Sequence, residues 1–160
     1  MTPSIPVVVA GALGRMGAEV IKAVVGSADC TLVGAIDNTA GKEGSDIGLE
    51  LGLGELEVAV TADFEGCLCA VSQSVRDAEA GAVLVDFTHP SVVYEHTRAA
   101  IAYGVHPVIG TTGLSPEQLS DLCQFAAKAS IGGAVIPNFS VGMVLLLSLI
   151  HISEPTRRNS

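Results

Sequence analysis

Positive charge is scarce in this chain of 160 residues: 8 Lys and Arg stand against 17 Asp and Glu, a formal net charge of −9. So acidic a balance excludes general binding to nucleic acid or to an anionic membrane surface, and any anionic ligand has to be held locally. The four cysteines, Cys30, Cys67, Cys69 and Cys123, form no C-x-x-C pair, which removes the common zinc and redox spacing. We read them as reduced packing residues, with Cys67-Leu68-Cys69 an extended segment that carries both thiols on one face. None of the four histidines, His89, His96, His106 and His151, forms an adjacent pair or a metal-ligand spacing, so no metal centre is expected. The N-terminus has no basic run followed by an apolar stretch, which makes the cytoplasm the expected compartment. The nearly continuous apolar run 141–152 is shorter than the about 20 residues that a membrane span needs.

What is present is an apolar majority. Hydrophobic residues make up 49% of the chain, with a mean hydropathy of +0.52, enough for one domain around a buried sheet. Runs rich in valine and isoleucine predict strands over 7–10, 32–36, 58–60, 83–87, 106–109 and 134–136. Helical periodicity separates several of them, over 16–25, 91–103 and 116–129, and Ser115-Pro116-Glu117 reads as a serine cap with proline at the first helical position. Parallel strands need crossover helices, so the pattern predicts an α/β fold, Rossmann-like and doubly wound, with a mostly parallel sheet. The glycine-rich stretch 38–56 shows no clear period and is expected to be a mobile loop ahead of a short edge strand.

One turn in this pattern carries specific chemistry. Gly11-Ala12-Leu13-Gly14-Arg15-Met16-Gly17 joins the first strand to the first helix, and its glycines let a pyrophosphate approach bare backbone N–H groups at the positive end of a helix. The spacing is G-x-x-G-x-x-G, so its weight comes from context: a strand before, a helix after, and Asp37 twenty residues beyond Gly17 at the end of the second strand. Asp37 reads either as the acceptor for adenosine ribose hydroxyls, which favours NAD, or as a turn aspartate before Asn38. Arg15 and Lys42 read either as surface charges or as cations that would admit NADP. Asp86-Phe87-Thr88-His89-Pro90 and Gly110-Thr111-Thr112-Gly113 end strands at the same carboxyl edge, as does Ile136-Pro137-Asn138-Phe139-Ser140. Each is either a helix cap or turn, or a ligand loop whose hydroxyls and amide face the nicotinamide half. His89 is the histidine expected at this crevice, His96 is expected to be a satisfied or exposed helical residue, and no residue is a convincing catalytic acid.

Taken together and in order, Gly-Ala-Leu-Gly-Arg-Met-Gly, Val-Gly-Ala-Ile-Asp, Val-Asp-Phe-Thr-His-Pro, Gly-Thr-Thr-Gly-Leu and Pro-Asn-Phe-Ser-Val-Gly-Met closely resemble the cofactor domain of dihydrodipicolinate reductases. The Asp37-Asn38 pair and its loop look most like the bacterial and cyanobacterial branch. The resemblance implies hydride transfer from NADH or NADPH to 4-hydroxy-tetrahydrodipicolinate on the diaminopimelate route to lysine. It implies that Gly11, Ala12, Leu13, Gly14, Arg15 and Met16 hold the pyrophosphate and Asp37 the ribose. Gly110, Thr111 and Thr112, with Ile136, Pro137, Asn138 and Phe139, would flank the nicotinamide, and Thr112 would also touch substrate. Asn38, where other members carry a basic residue, weakens a strong NADP preference.

The likeness runs to about residue 147, so residues 1–147 are expected to be the dinucleotide-binding domain. Residues 148–160 match nothing in the family and read as junction or vector sequence. In the family a second domain follows, carrying a His-His pair, a lysine and a Pro-Ser-Gly-Thr loop, and through it the dicarboxylate substrate and a homotetramer. None of those motifs is in this sequence. The expectation is a chain that binds nicotinamide nucleotide weakly and turns over essentially nothing alone, since a hydride acceptor needs a proton donor as well. Two other readings are a stand-alone NAD(P)-binding regulatory module without catalysis, and a nonfunctional truncated product.

Overall fold

The computed structural model describes residues 4–75 and 81–137. Its sheet has six strands, β1 (Ile5–Ala10), β2 (Cys30–Ile36), β3 (Val60–Thr61), β4 (Val83–Asp86), β5 (His106–Ile109) and β6 (Ala134–Val135), in the order β3-β2-β1-β4-β5-β6. Every strand pair is parallel. This is the doubly wound order whose strand sequence reverses between β1 and β4, and ligands of such sheets bind at the carboxyl edge beside that reversal.

The strands read as continuous apolar runs because both faces are covered near the centre of the sheet. Along β1 the side chains alternate: Val7 and Val9 join Ile21 and Val24 of α1 (Arg15–Val25), while Val8 and Ala10 join a second cluster with Leu68, Leu84 and Ala100. Leu68 and Val71 come from α3 (Phe64–Ser74), and Ala100 from α4 (Val93–Ala102). Gly34 of β2 lies under α3, where an added Cβ would stand 2.8 Å from Cys67 Sγ. The last helix, α5 (Pro116–Ala129), starts as its sequence predicts. Ser115 Oγ accepts the Gln118 N–H at 3.2 Å, and Gln118 Oε1 accepts the Ser115 N–H at 3.0 Å, a reciprocal box that Pro116 does not disturb.

Two expectations are corrected. Cys67-Leu68-Cys69 is helical, so Leu68 points into the core and the two thiols do not share an extended face. Asp63 caps α3 by accepting the Gly66 N–H at 2.9 Å, which offsets a helix composition heavy in serine, cysteine and glycine. The stretch 38–56 is likewise organised. It holds the short α2 (Ile47–Glu50) and buries Ile47 completely. Asp46 gathers it: its carboxylate accepts N–H groups from Leu49 at 3.0 Å, Leu56 at 3.1 Å and Val58 at 3.1 Å. Desolvation pushes that carboxyl up, but the backbone donors outweigh it and hold it below the usual carboxylate range. Glycines at positive φ, Gly52 at 71° and Gly54 at 84°, turn the chain back, which periodicity does not register. No helix among the described residues is long and apolar enough to cross a membrane.

Candidate functional site

The turn after β1 is built by its own glycines. Gly11 has φ of 77°, and a Cβ there would stand 2.5 Å from the Phe87 carbonyl oxygen. A Cβ on Gly17 would collide with the Gly11 carbonyl. Both positions are therefore closed to larger residues by the protein itself. Gly14 differs: its φ of −71° suits any residue, and its Cβ would meet only the Gly11 oxygen, at 3.2 Å. Of the three turn glycines, it is the one whose added Cβ would be crowded least.

Backbone donors in the turn divide in the same way. Gly11 and Ala12 give their N–H groups to Ile36 O at 2.9 and 3.1 Å, and Gly14 gives its own to Gly11 O at 3.1 Å. Leu13 N–H goes to Asp37 Oδ2 at 2.9 Å. Ala12 is also fully buried. No side chain caps α1, so its first turn, starting at Arg15 and Met16, presents N–H groups and the positive end of the helix.

Asp37 is both a turn residue and a lock. Its Oδ1 accepts from Thr39 N at 2.9 Å and Thr39 Oγ1 at 2.6 Å, while Oδ2 holds the glycine turn through Leu13. A carboxylate has about four acceptor positions, so one remains. The residue borders a cleft of about 420 Å³ together with Gly11, Asn38, Phe64, His89 and His96. Lys42 is turned elsewhere, into a 2.6 Å ion pair with Glu50, whose carboxyl it holds below the usual range.

On the other side of the turn lies a second hollow of about 350 Å³, bordered by Gly14, Arg15, Met16, Gly110, Thr111 and Thr112. Thr88 borders both spaces. Sequence reasoning brought these residues to one edge, and the structure places them there, divided between two chambers that share Thr88. Gly110 and Gly113 have a different reason from the one expected. A Cβ on Gly110 would enter the Phe87 ring, and one on Gly113 would stand 2.6 Å from Pro90 Cβ, so packing between loops demands them. Ile136 follows β6 and donates its N–H to Ile109 O at 2.8 Å, with exposed Pro137 after it. Asn138 and Phe139 lie outside the described residues, as does the run 141–152.

Sequence reasoning placed Asp86 in a loop at the carboxyl edge but gave it no role of its own. It ends β4 with no exposed surface, yet burial, which raises its pKa, is outweighed by donors from His96, Thr88 and Thr111, which hold it below the usual carboxylate range. Oδ1 accepts from Thr88 N at 2.9 Å, Thr88 Oγ1 at 2.6 Å and Thr111 Oγ1 at 2.9 Å. Oδ2 lies 2.9 Å from His96 Nδ1. His96 is the satisfied helical residue expected, and in addition it stacks on Phe64 with ring centroids 3.9 Å apart and reaches the same cleft as His89. The Thr111 hydroxyl, expected to face a ligand, spends its proton on Asp86. An ionisable residue closing a valine-rich strand was the available signal.

The family description "Dihydrodipicolinate reductase, N-terminus" matches residues 5–139. The chain belongs to this family. It is 99% identical over 146 residues to the 4-hydroxy-tetrahydrodipicolinate reductase of Parasynechococcus marenigrum strain WH8102, covering 91% of this chain and 53% of that protein. Identity to the reductase of the same name from Synechococcus elongatus is 58% over 147 residues, 92% of this chain and 52% of that protein. The chain spans about half the length of the curated relatives it matches. Dipicolinate-bound dihydrodipicolinate reductase from Paenisporosarcina sp. TG-14 superposes with a TM-score of 0.70 at 29% identity, over 93% of this chain and 53% of that one. A WlbA (WbpB) dehydrogenase from Thermus thermophilus, in complex with NAD and alpha-ketoglutarate, gives 0.71 at 16% identity, over 94% and 48%. That second likeness is one of fold alone.

Proposed function

We propose that this chain is the NADH- or NADPH-binding part of a 4-hydroxy-tetrahydrodipicolinate reductase, a cytoplasmic enzyme of the diaminopimelate route to lysine. The observation that carries the reading is Gly14: a glycine with an ordinary backbone and the mildest crowding of the three in its turn, beside an uncapped helix start, at the border of the hollow that Gly110 and Thr112 also line. A bare backbone at that point serves a ligand that comes close.

In this reading the pyrophosphate lies over Gly14, Arg15 and Met16, whose helix end attracts its charge. Gly11, Ala12 and Leu13 shape the turn beneath it, because their N–H groups are already engaged. Asp37 uses its remaining acceptor position for a ribose hydroxyl. Gly110, Thr111 and Thr112, with Ile136, Pro137, Asn138 and Phe139, border the nicotinamide half. The bound cofactor supplies a hydride to the substrate ring. Reduction of an imine also needs a proton donor, and a dicarboxylate needs fixed positive donors. No carboxyl or imidazole group borders the β5-side hollow among the described residues. Proton donation, grip on the dicarboxylate substrate and homotetramer assembly are therefore assigned to the remaining half of the relatives' length. The same reading keeps residues 1–147 as the nucleotide-binding unit and treats 148–160 as foreign to it. The family match to residue 139 and the 146-residue alignment support that division.

The test is a two-dimensional 15N–1H titration of the chain with NADH and with NADPH. Amides of Arg15, Met16, Asp37 and Thr112 are expected to shift together and to saturate. Shifts confined to the groove between α5 and β6, or none at millimolar nucleotide, would overturn the assignment.

A further inference from the structure

Asp86 ends β4, and the groups bonded to it border both chambers. β4 lies between β1 and β5, with Asp86 level with Ala10 on one side and Ile109 on the other. Its neighbours continue the link through the backbone: Phe87 N–H goes to Ala10 O at 2.9 Å, and Gly110 N–H goes to Asp86 O at 2.9 Å. The side chain then joins three groups on different segments. Thr111 belongs to the β5-side hollow, His96 to the β2-side cleft, and Thr88 to both.

We infer that Asp86 is a positioning residue that couples the two halves of the nucleotide site. This inference rests on the proposed nucleotide reading for its consequence, though not for its geometry. An ionised carboxylate has acceptors only, so it fixes the direction of every donor around it. Thr111 and Thr88 must point their hydroxyl protons inward, which leaves their oxygen lone pairs and methyl groups to face the chambers. His96 must carry its proton on Nδ1 when neutral, so Nε2, on the edge away from Asp86, is an acceptor. His89 has the opposite polarity: its Nδ1 accepts the Ser91 N–H at 3.1 Å and lies 2.8 Å from the Ser91 hydroxyl, which when the ring is neutral leaves the proton on Nε2. The β2-side cleft thus has one imidazole that accepts and one that donates, and the carboxylate sets the first. Phe64 stacking removes the remaining freedom of the His96 ring. A buried asparagine of the same shape would present an NH2 to one of these partners and reverse that bond.

Two measurements test the coupling separately from the nucleotide reading. In the unmodified chain, with the pH raised until long-range 15N–1H correlation shows a neutral ring, His96 should be the Nδ1–H tautomer, with the signal assigned by its loss in H96Q. An Nε2–H tautomer overturns the inference whatever the chain binds. In a double-mutant cycle on NADH affinity, D86N is expected to weaken binding about tenfold, the size of one lost charge-assisted bond. T111V and H96Q should each weaken it several-fold alone and add little once D86N is present. Full additivity of the three would show that Asp86 does not couple the chambers. If NADH fails to bind the unmodified chain while the tautomer is as expected, the nucleotide reading fails and the His96 geometry stands.

Discussion

The two halves of the carboxyl edge are made from different materials. On the β1 side the site is backbone: Gly11 and Gly17 are fixed by contacts with Phe87 and with each other, and Gly14 lies between them at an uncapped helix start. On the β4 and β5 side it is a side-chain network around one buried carboxylate, with four donors from three residues. A site made of backbone is tolerant of everything except volume. A site made of a buried charge tolerates volume changes at its rim but not the loss of a partner, since each donor left behind is desolvated without an acceptor.

This contrast sets an order of effects. The largest is expected for Asp86→Ala, which strands two hydroxyls, one backbone N–H and an imidazole, and should lower stability by about 4 kcal/mol in urea unfolding. A loss under 1 kcal/mol would show that the network is incidental. Gly17→Val should follow, at about 3 kcal/mol by the same measurement, because its side chain runs into the Gly11 carbonyl that the turn cannot withdraw. Full stability in that variant would break the backbone half of the comparison. The smallest effect is a pH dependence. Asp86 has a depressed folded-state pKa, so its contribution is complete above the ordinary aspartate range near pH 4 and is lost as acid titrates the folded group. Asp86→Asn should therefore flatten the acid limb of the stability curve relative to the unmodified chain, and parallel limbs would assign the acid sensitivity to other carboxylates, Asp46 among them.

Legibility in the sequence follows the same line. The strands and the crossovers α1, α4 and α5 were readable because valine runs and helical periods alternate, and the Ser115 cap because its chemistry is local. The glycine turn was readable because glycines at fixed spacing leave a written trace. What stayed hidden depends on contacts distant in sequence. α3 rests on Leu68 and Val71 meeting the sheet, with a cap at Asp63 that overrides a poor helix composition. The 46–58 stretch rests on one carboxylate collecting amides up to twelve residues away. Asp86 reaches Thr111 across 25 positions and His96 across 10. Glycines were visible, but their reasons were not: Gly110 and Gly113 yield to Phe87 and Pro90, whereas Gly14 is the least crowded of the three in the turn.

Gly14→Val therefore tests the central claim most directly, with NADH affinity followed by nicotinamide fluorescence in a chain that has no tryptophan. The account predicts a loss of NADH affinity of at least about tenfold, or 1.4 kcal/mol, while the melting temperature stays within a few degrees of the unmodified chain. Unchanged affinity in a folded Gly14→Val chain would contradict it, because a pyrophosphate seated on that helix end has no room for the added side chain.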